Sequence, residues 1–204
     1  MPSAEPVTRV HRRLESLNGD AARGLALAGC AAALLAPMLA GEAGREWLRY
    51  DRLALAHGEW WRLATAHLVH LSWRHALLNV LGLALLWALF ARDYAPRQWL
   101  LIVCSAALAI DAGLWLLDST LQWYVGSSGV LHGVLAAGAL AHLRRRAPDG
   151  WLLAGLLAGK LAYEHWAGAL PLAGDVAVVL PAHLYGAAGG ALAALALGLR
   201  GRSL

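Results

Sequence analysis

Six apolar stretches dominate this sequence, each long enough or nearly so to cross a bilayer core of about 30 Å as a helix rising about 1.5 Å per residue. They run over Gly24–Ala40, Trp73–Phe90, Trp99–Leu117, Gly126–Leu143, Trp151–Trp166 and Val176–Leu199. A lipid core leaves a spanning backbone two solutions, helices or closed barrels, and runs of this length select helices. With 59% hydrophobic residues and a mean hydropathy of +0.52, the 204-residue chain is read as an all-α membrane protein with six transmembrane helices, not as a soluble domain. Its expected parts are an N-terminal segment 1–23, a helical domain 24–199 and a tail 200–204. The first stretch has no convincing small-x-small cleavage site at its end and is expected to stay as an anchor.

Positive charge near span ends is retained on the cytoplasmic side. Arg9, Arg12, Arg13 and Arg23 precede span 1, Arg92 and Arg97 separate spans 2 and 3, Arg144, Arg145 and Arg146 follow span 4, and Arg200 and Arg202 follow span 6. The connections after spans 3 and 5 carry neither Lys nor Arg. Both termini are therefore expected in the cytoplasm. In the long connection after span 1, Arg45, Arg49, Arg52 and Arg62 alternate with Glu42, Glu46, Asp51 and Glu59 and with Trp47, Trp60 and Trp61, a mixture suited to short amphipathic segments in the outer interface. The net charge of +4 thus reflects topology and gives no reason to expect nucleic-acid binding. Cys30 and Cys104 fall inside spans 1 and 3 and are read as small core residues without a disulfide.

Polar side chains within spans are costly and so mark functional candidates. Span 2 carries His75 and Asn79, span 4 carries Ser127, Ser128 and His132, and span 6 carries His183. Counted from Phe90, Leu143 and Gly198 at the cytoplasmic ends, His75, Ser128 and His183 each lie 15 positions up (90 − 75, 143 − 128, 198 − 183), roughly 22 Å at helical rise. Three helices thus bring polar groups to one level nearer the outer face. A serine hydroxyl needs an adjacent base to act as nucleophile, and a place in the first turn of span 4 would put free backbone N–H groups and the positive end of the helix dipole beside an oxyanion. His75 and Asn79, at i and i+4, share a face of span 2 and could donate to the same oxyanion. Gly129 and Gly133 in span 4, and Gly186 and Gly190 in span 6, are small-xxx-small pairs that allow close helix approach. His183, Gly186 and Gly190 share one face, so packing of that face on span 4 would carry the imidazole towards Ser128.

At these residues the sequence resembles rhomboid intramembrane serine proteases. "GSSG" before a span, "HALLN" in span 2, "AHLYGAAGG" in the last span and the preceding "GEWWRLATAHLVH" are similar to that family's signatures, over roughly His57 to Leu199. The resemblance implies a six-helix rhomboid-like bundle with a wet cavity open to the outside. It also implies Ser128 as nucleophile, His183 as base, and His75, Asn79 and the Ser128 N–H as oxyanion stabilisers. His132 stands where the family commonly has an aromatic residue, often tyrosine. With the "GSSGVLHG" form and the compact length it is more similar to the rhombosortase branch. That branch implies a protein of the bacterial inner membrane that processes surface proteins at a C-terminal sorting signal made of a Gly-Gly motif, a membrane span and a basic tail.

Plainer roles suit most of the remaining residues. Ser127 is read as a packing residue bonded to the carbonyl one turn back, and His67, His70, His142 and His165 as structural or interfacial. Gly126, Gly129 and His132 are assigned to the surroundings of the serine or to substrate contact. For His132 two roles stay open, packing beside His183 or acting as a base on its own helix. Lys160 and Glu164, at i and i+4 in span 5, are read as neutralising each other, and Asp111 has no evident partner. No cofactor and no metal is expected. The rival from another class is a metal-binding membrane protein built on His67, His70, His75, His132 and His183, although no HExxH pair, cysteine cluster or acidic partner lies near them in the sequence. A rhomboid-like pseudoprotease would not need both Ser128 and His183, and a general rhomboid acting on unstable membrane helices would not need the Gly-Gly signal.

Overall fold

The computed structural model of the chain describes residues 21–169 and 179–200. Helix α1 (Ala21–Leu35) passes through a 3-10 turn (Ala36–Ala40) into α2 (Gly41–Leu48). Strand β1 (Tyr50–Asp51) and the short helices α3 (Arg52–Ala56) and α4 (Arg62–Thr65) follow, then the long helices α5 (Trp73–Phe90) and α6 (Pro96–Leu116). Strand β2 (Trp123–Tyr124) precedes α7 (Ser128–Arg144), α8 (Pro148–Ala167) and α9 (Leu180–Arg200). Pro96 and Pro148 open α6 and α8, where the missing N–H would have had no intrahelical acceptor. Ser72 caps α5, its hydroxyl accepting from His75 N–H at 3.2 Å.

The expectation of an all-α membrane bundle holds. Among the described residues four segments, Ala22–Leu48, Trp73–Phe90, Pro96–Leu116 and Leu180–Gly198, are long and apolar enough to cross a membrane. The other two expected spans are helices as well. α7 has 17 residues, about 26 Å at helical rise, and α8 carries Lys160 and Glu164. The expected start of the last span at Val176, most of segment 1–23 and most of tail 200–204 lie outside the described residues.

α7 occupies the centre, packed by α5, α6, α8 and α9. Its buried residues are small or polar, among them Gly129, His132, Gly133, Ala137 and Gly138. The bundle turns large apolar side chains outward, such as Leu81 and Leu85 on α5, Leu100 and Leu108 on α6 and Trp151 on α8. This arrangement, small residues inside and leucine outside, is the one expected where lipid is the solvent and helices gain by close van der Waals approach. Cys30 and Cys104 are on that outer surface, unpaired, which corrects their reading as core residues: the faces of α1 and α6 that carry them turn away from the bundle.

The segment between α1 and α5 folds into short helices, and its arginines find partners. Arg45 pairs with Glu42 at 3.3 Å, Arg49 with Asp51 at 3.2 Å and Arg62 with Glu59 at 2.7 Å. Buried Arg62 also donates to the carbonyls of Glu46 and Arg49. Arg52 donates to the carbonyls of Leu114 (2.6 Å), Trp115 and Asp118 at the end of α6, satisfying groups that a helix end leaves open. β1 pairs antiparallel with β2, Tyr50 opposite Tyr124, and so ties this segment to the chain entering α7.

Candidate active site

The approach to Ser128 is held from three sides. Tyr124, buried and paired through β2, donates its hydroxyl to the Gly126 carbonyl at 2.5 Å. The Gly126 N–H donates to the Ala66 carbonyl at 2.9 Å. Gly126 itself has φ +121°, and a Cβ there would come within 3.1 Å of the His75 ring, so both conformation and space require glycine. The chain then enters α7 at Ser128, whose N–H belongs to the first turn, where backbone donors lack intrahelical acceptors.

A seam of glycines sets the distance between α7 and α9. A Cβ on Gly186 would lie 2.0 Å from the Gly129 carbonyl oxygen, and one on Gly190 would lie 2.2 Å from that of Gly133. Reciprocally, Cβ atoms on Gly129 and Gly133 would meet the Ala182 and Gly186 oxygens at 2.7 and 2.6 Å. Backbone rests on backbone, and the close approach brings His183 to the serine. Ser128 Oγ and His183 Nε2 are 2.9 Å apart.

Two further contacts fix the His183 ring. Its Nδ1 is 2.9 Å from Glu164 Oε2, and His132 stacks on its face, centroids 4.2 Å apart and planes 16° from parallel. An ionised carboxylate only accepts, so the Nδ1–H donates to Glu164 and Nε2 is left to accept the Ser128 O–H. Lys160 Nζ donates to the other carboxylate oxygen, Oε1, at 2.5 Å. The pairing read for Lys160 and Glu164 is therefore present but is half of the contact set. His132 Nδ1–H donates to the Ser128 carbonyl at 2.7 Å, which directs that ring to the serine's backbone.

Around this centre the other candidates separate. Asn79, buried, donates one amide hydrogen to the His75 carbonyl at 3.0 Å. His75 meets His70 edge to face at 5.0 Å, and His70 Nε2 is hydrogen-bonded to Ser127 Oγ at 3.2 Å. That contact corrects the reading of Ser127: its hydroxyl faces a ring from the loop that leads into α5 instead of a carbonyl one turn back. Asp111 does have a neighbour, His67, at 3.3 Å, although the two groups are not aligned for a hydrogen bond. His142 sits between Asp93 (3.0 Å) and Asp149 (2.8 Å) at the opposite end of α7. Burial, with His75 beside it, holds the His70 pKa down from the ordinary 6.5 to about 4, and burial pushes the Tyr124 hydroxyl well up.

The histidines expected of a metal site are not gathered as one group. Of its five histidines, His132 and His183 come together with Glu164, ligating atoms within 4.8 Å of one another. His183 already uses both nitrogens, Glu164 both oxygens and His132 its Nδ1. A cation here would have to displace a closed set of hydrogen bonds.

Tyr124 has no role in the sequence reading, and Glu164 and His70 have only a charge-neutralising and a structural or metal-binding one there. Glu164 carried a signal, an acid inside a span, but its pairing with Lys160 four residues earlier offered a sufficient account.

Fold and site together define a polytopic helical membrane protein with a helix-initial serine in hydrogen-bonding reach of a histidine from another helix. The chain belongs to the rhomboid family, the Rhomboid domain matching residues 57–200. Over 82 residues it is 29% identical to a Bacillus subtilis (strain 168) protein named "Putative rhomboid protease YdcA", a stretch covering 40% of this chain and 41% of that protein. The chain thus spans under half the length of the curated relative it matches. As a rhomboid-domain chain with apolar spanning helices, it is an integral membrane protein.

Proposed function

We propose that this protein is an intramembrane serine endopeptidase that cleaves membrane-anchored proteins. The observation that carries the reading is the 2.9 Å contact between Ser128 Oγ and His183 Nε2, a hydroxyl and a base in the geometry that proton transfer needs. Ser128 attacks the scissile carbonyl while its proton passes to His183 Nε2; the C–Oγ bond forms as the carbonyl electrons move to oxygen. His183 then returns the proton to the leaving amine as the C–N bond breaks. The oxyanion is stabilised by the Ser128 N–H, by His75, whose ring borders Gly126, and by the second amide hydrogen of Asn79. Gly126, Gly129 and His132 shape the serine's surroundings, and Gly133, Gly186 and Gly190 maintain the seam. No metal or organic cofactor takes part.

The finer reading places the protein in the rhombosortase branch. It then processes bacterial surface proteins at a C-terminal Gly-Gly, span and basic-tail signal, with water or an amine taking up the acyl group. It is set in the inner membrane with both termini cytoplasmic and the site opening outward, as the arginine distribution supports.

Purified protein is incubated with test substrates that carry such a signal, beside ordinary unstable membrane helices, and the products are weighed by mass spectrometry. Cleavage at the signal, absent in Ser128→Ala and His183→Ala, is expected. Activity confined to the unstable helices would return the protein to the general rhomboid group, and cleavage surviving His183→Ala but lost in His132→Ala would move the base to His132.

A further inference from the structure

Among the described residues Glu164 is one of two buried carboxylates, about 5% exposed, and each of its oxygens has a separate task. Oε1 takes the Lys160 ammonium at 2.5 Å, within α8; Oε2 takes His183 Nδ1 at 2.9 Å, across to α9. An ionised carboxylate removed from water is costly unless donors surround it. The ion pair with Lys160 alone would be met as well by a side chain extended towards the exterior, where Lys160 keeps 29% of its surface exposed. Glu164 instead turns its second oxygen inward, to the imidazole whose other nitrogen meets Ser128.

We infer that Glu164 is a positioning residue for the hydrolytic reaction, completing a chain Ser128, His183, Glu164 that Lys160 anchors. The inference rests on the reading of Ser128 and His183 as nucleophile and base. Its first effect is on the tautomer: with Nδ1–H committed to Glu164, the lone pair stands on Nε2, where the Ser128 proton must go. Its second effect falls in the transition state. When the proton reaches Nε2 the ring becomes a cation between a carboxylate and the stacked His132, and the carboxylate stabilises the charge without moving. The third effect is orientation. The hydrogen bond fixes rotation in the ring plane while the 4.2 Å stack with His132 fixes the plane itself. Lys160 divides the carboxylate between two donors and stops Glu164 from drawing a proton of its own from substrate or water.

The test uses a fluorophosphonate, which needs no peptide substrate: the serine oxygen bonds to phosphorus, fluoride leaves, and the serine proton passes to His183. Wild type, Ser128→Ala, His183→Ala, Glu164→Gln and Glu164→Asp are compared for the saturating labelling rate and the half-saturating concentration. In Glu164→Gln the saturating rate is expected to fall about 100-fold or more, as when a triad carboxylate becomes an amide, with half-saturation within about threefold. Glu164→Asp, which keeps the charge, is expected to restore at least about tenfold of the loss. Labelling of Glu164→Gln within about threefold of wild type, while Ser128→Ala and His183→Ala are dead, overturns this inference and leaves the protease reading intact. Labelling that persists in Ser128→Ala overturns both. A second measurement reads the wild type itself: nitrogen-15 spectra of the histidine-labelled protein in bilayers, with the His183 signal identified by its loss in His183→Gln. The Nδ1–H tautomer is expected at neutral pH, and the Nε2–H tautomer refutes the inference.

Discussion

Alanine at Gly186 is predicted to separate the two helices that carry Ser128 and His183. The added Cβ would stand 2.0 Å from the Gly129 carbonyl oxygen and 2.6 Å from its carbon, both backbone atoms. Ordinary contact begins at 3.4 Å, so α9 must retreat by about 1.4 Å (3.4 − 2.0) or the backbone must distort. Overpacking of this kind costs typically 1–3 kcal/mol, and a clash of backbone with backbone belongs at the upper end, about 3 kcal/mol. His183 lies one turn away on the same face, so most of that retreat is added to its 2.9 Å contact with Ser128. A misplacement of about 1 Å is worth about 100-fold in rate. The assay pairs thermal unfolding in detergent with cleavage of the substrate that wild type cuts. Gly155→Ala and Gly159→Ala on α8, where an added Cβ meets nothing within 4 Å, serve as controls and should be neutral or slightly stabilising. If Gly186→Ala unfolds within about 0.5 kcal/mol of wild type and keeps its rate, the glycine seam does not set the serine–histidine distance.

Three further outcomes are expected. Because the folded chain holds the His70 pKa near 4 against an ordinary 6.5, the unfolded chain binds a proton that the folded one refuses; stability is complete above pH 6.5 and is lost as pH falls towards 4, by about 2 kcal/mol at pH 5. Thermal unfolding at pH 7 and pH 5 should show this slope in wild type and a flatter one in His70→Gln, and equal slopes would refute it. Tyr124→Phe removes the 2.5 Å hydrogen bond to the Gly126 carbonyl and should cost about 1–2 kcal/mol, with slower labelling of Ser128; unchanged stability would show that the turn is held without it. Treatment with EDTA should leave cleavage unaltered, whereas a loss reversed by zinc would revive the metal reading built on His132, Glu164 and His183.

Much of the bundle was legible because lipid makes hydropathy and length decisive. The expected span Trp73–Phe90 coincides with α5; α6 and α8 begin earlier than expected because Pro96 and Pro148 open them, and the bounds of α1 and α7 shift by a few residues without a proline. The Ser128 and His183 pairing was reached through equal depth and glycine spacing, both readable along single helices. What was not legible depends on which face a helix turns inward. Lys160 and Glu164 form the pair their spacing suggests, yet only the rotation of α8 shows that the second carboxylate oxygen reaches His183. Cys104 illustrates the converse, an apolar-helix residue whose face looks outward. The β1–β2 pairing, two residues on each side, is too short to leave an alternating pattern, and with it went the role of Tyr124. Asp111 and His67 are 44 positions apart (111 − 67), and no local rule joins such a pair.

In the proposed mechanism one side chain reacts because another is beside it. Peptide mapping of the protein after fluorophosphonate treatment reads this directly. A single adduct on Ser128 that disappears in His183→Ala is the predicted result. An adduct on Ser127, or one on Ser128 that forms equally well without His183, would contradict it.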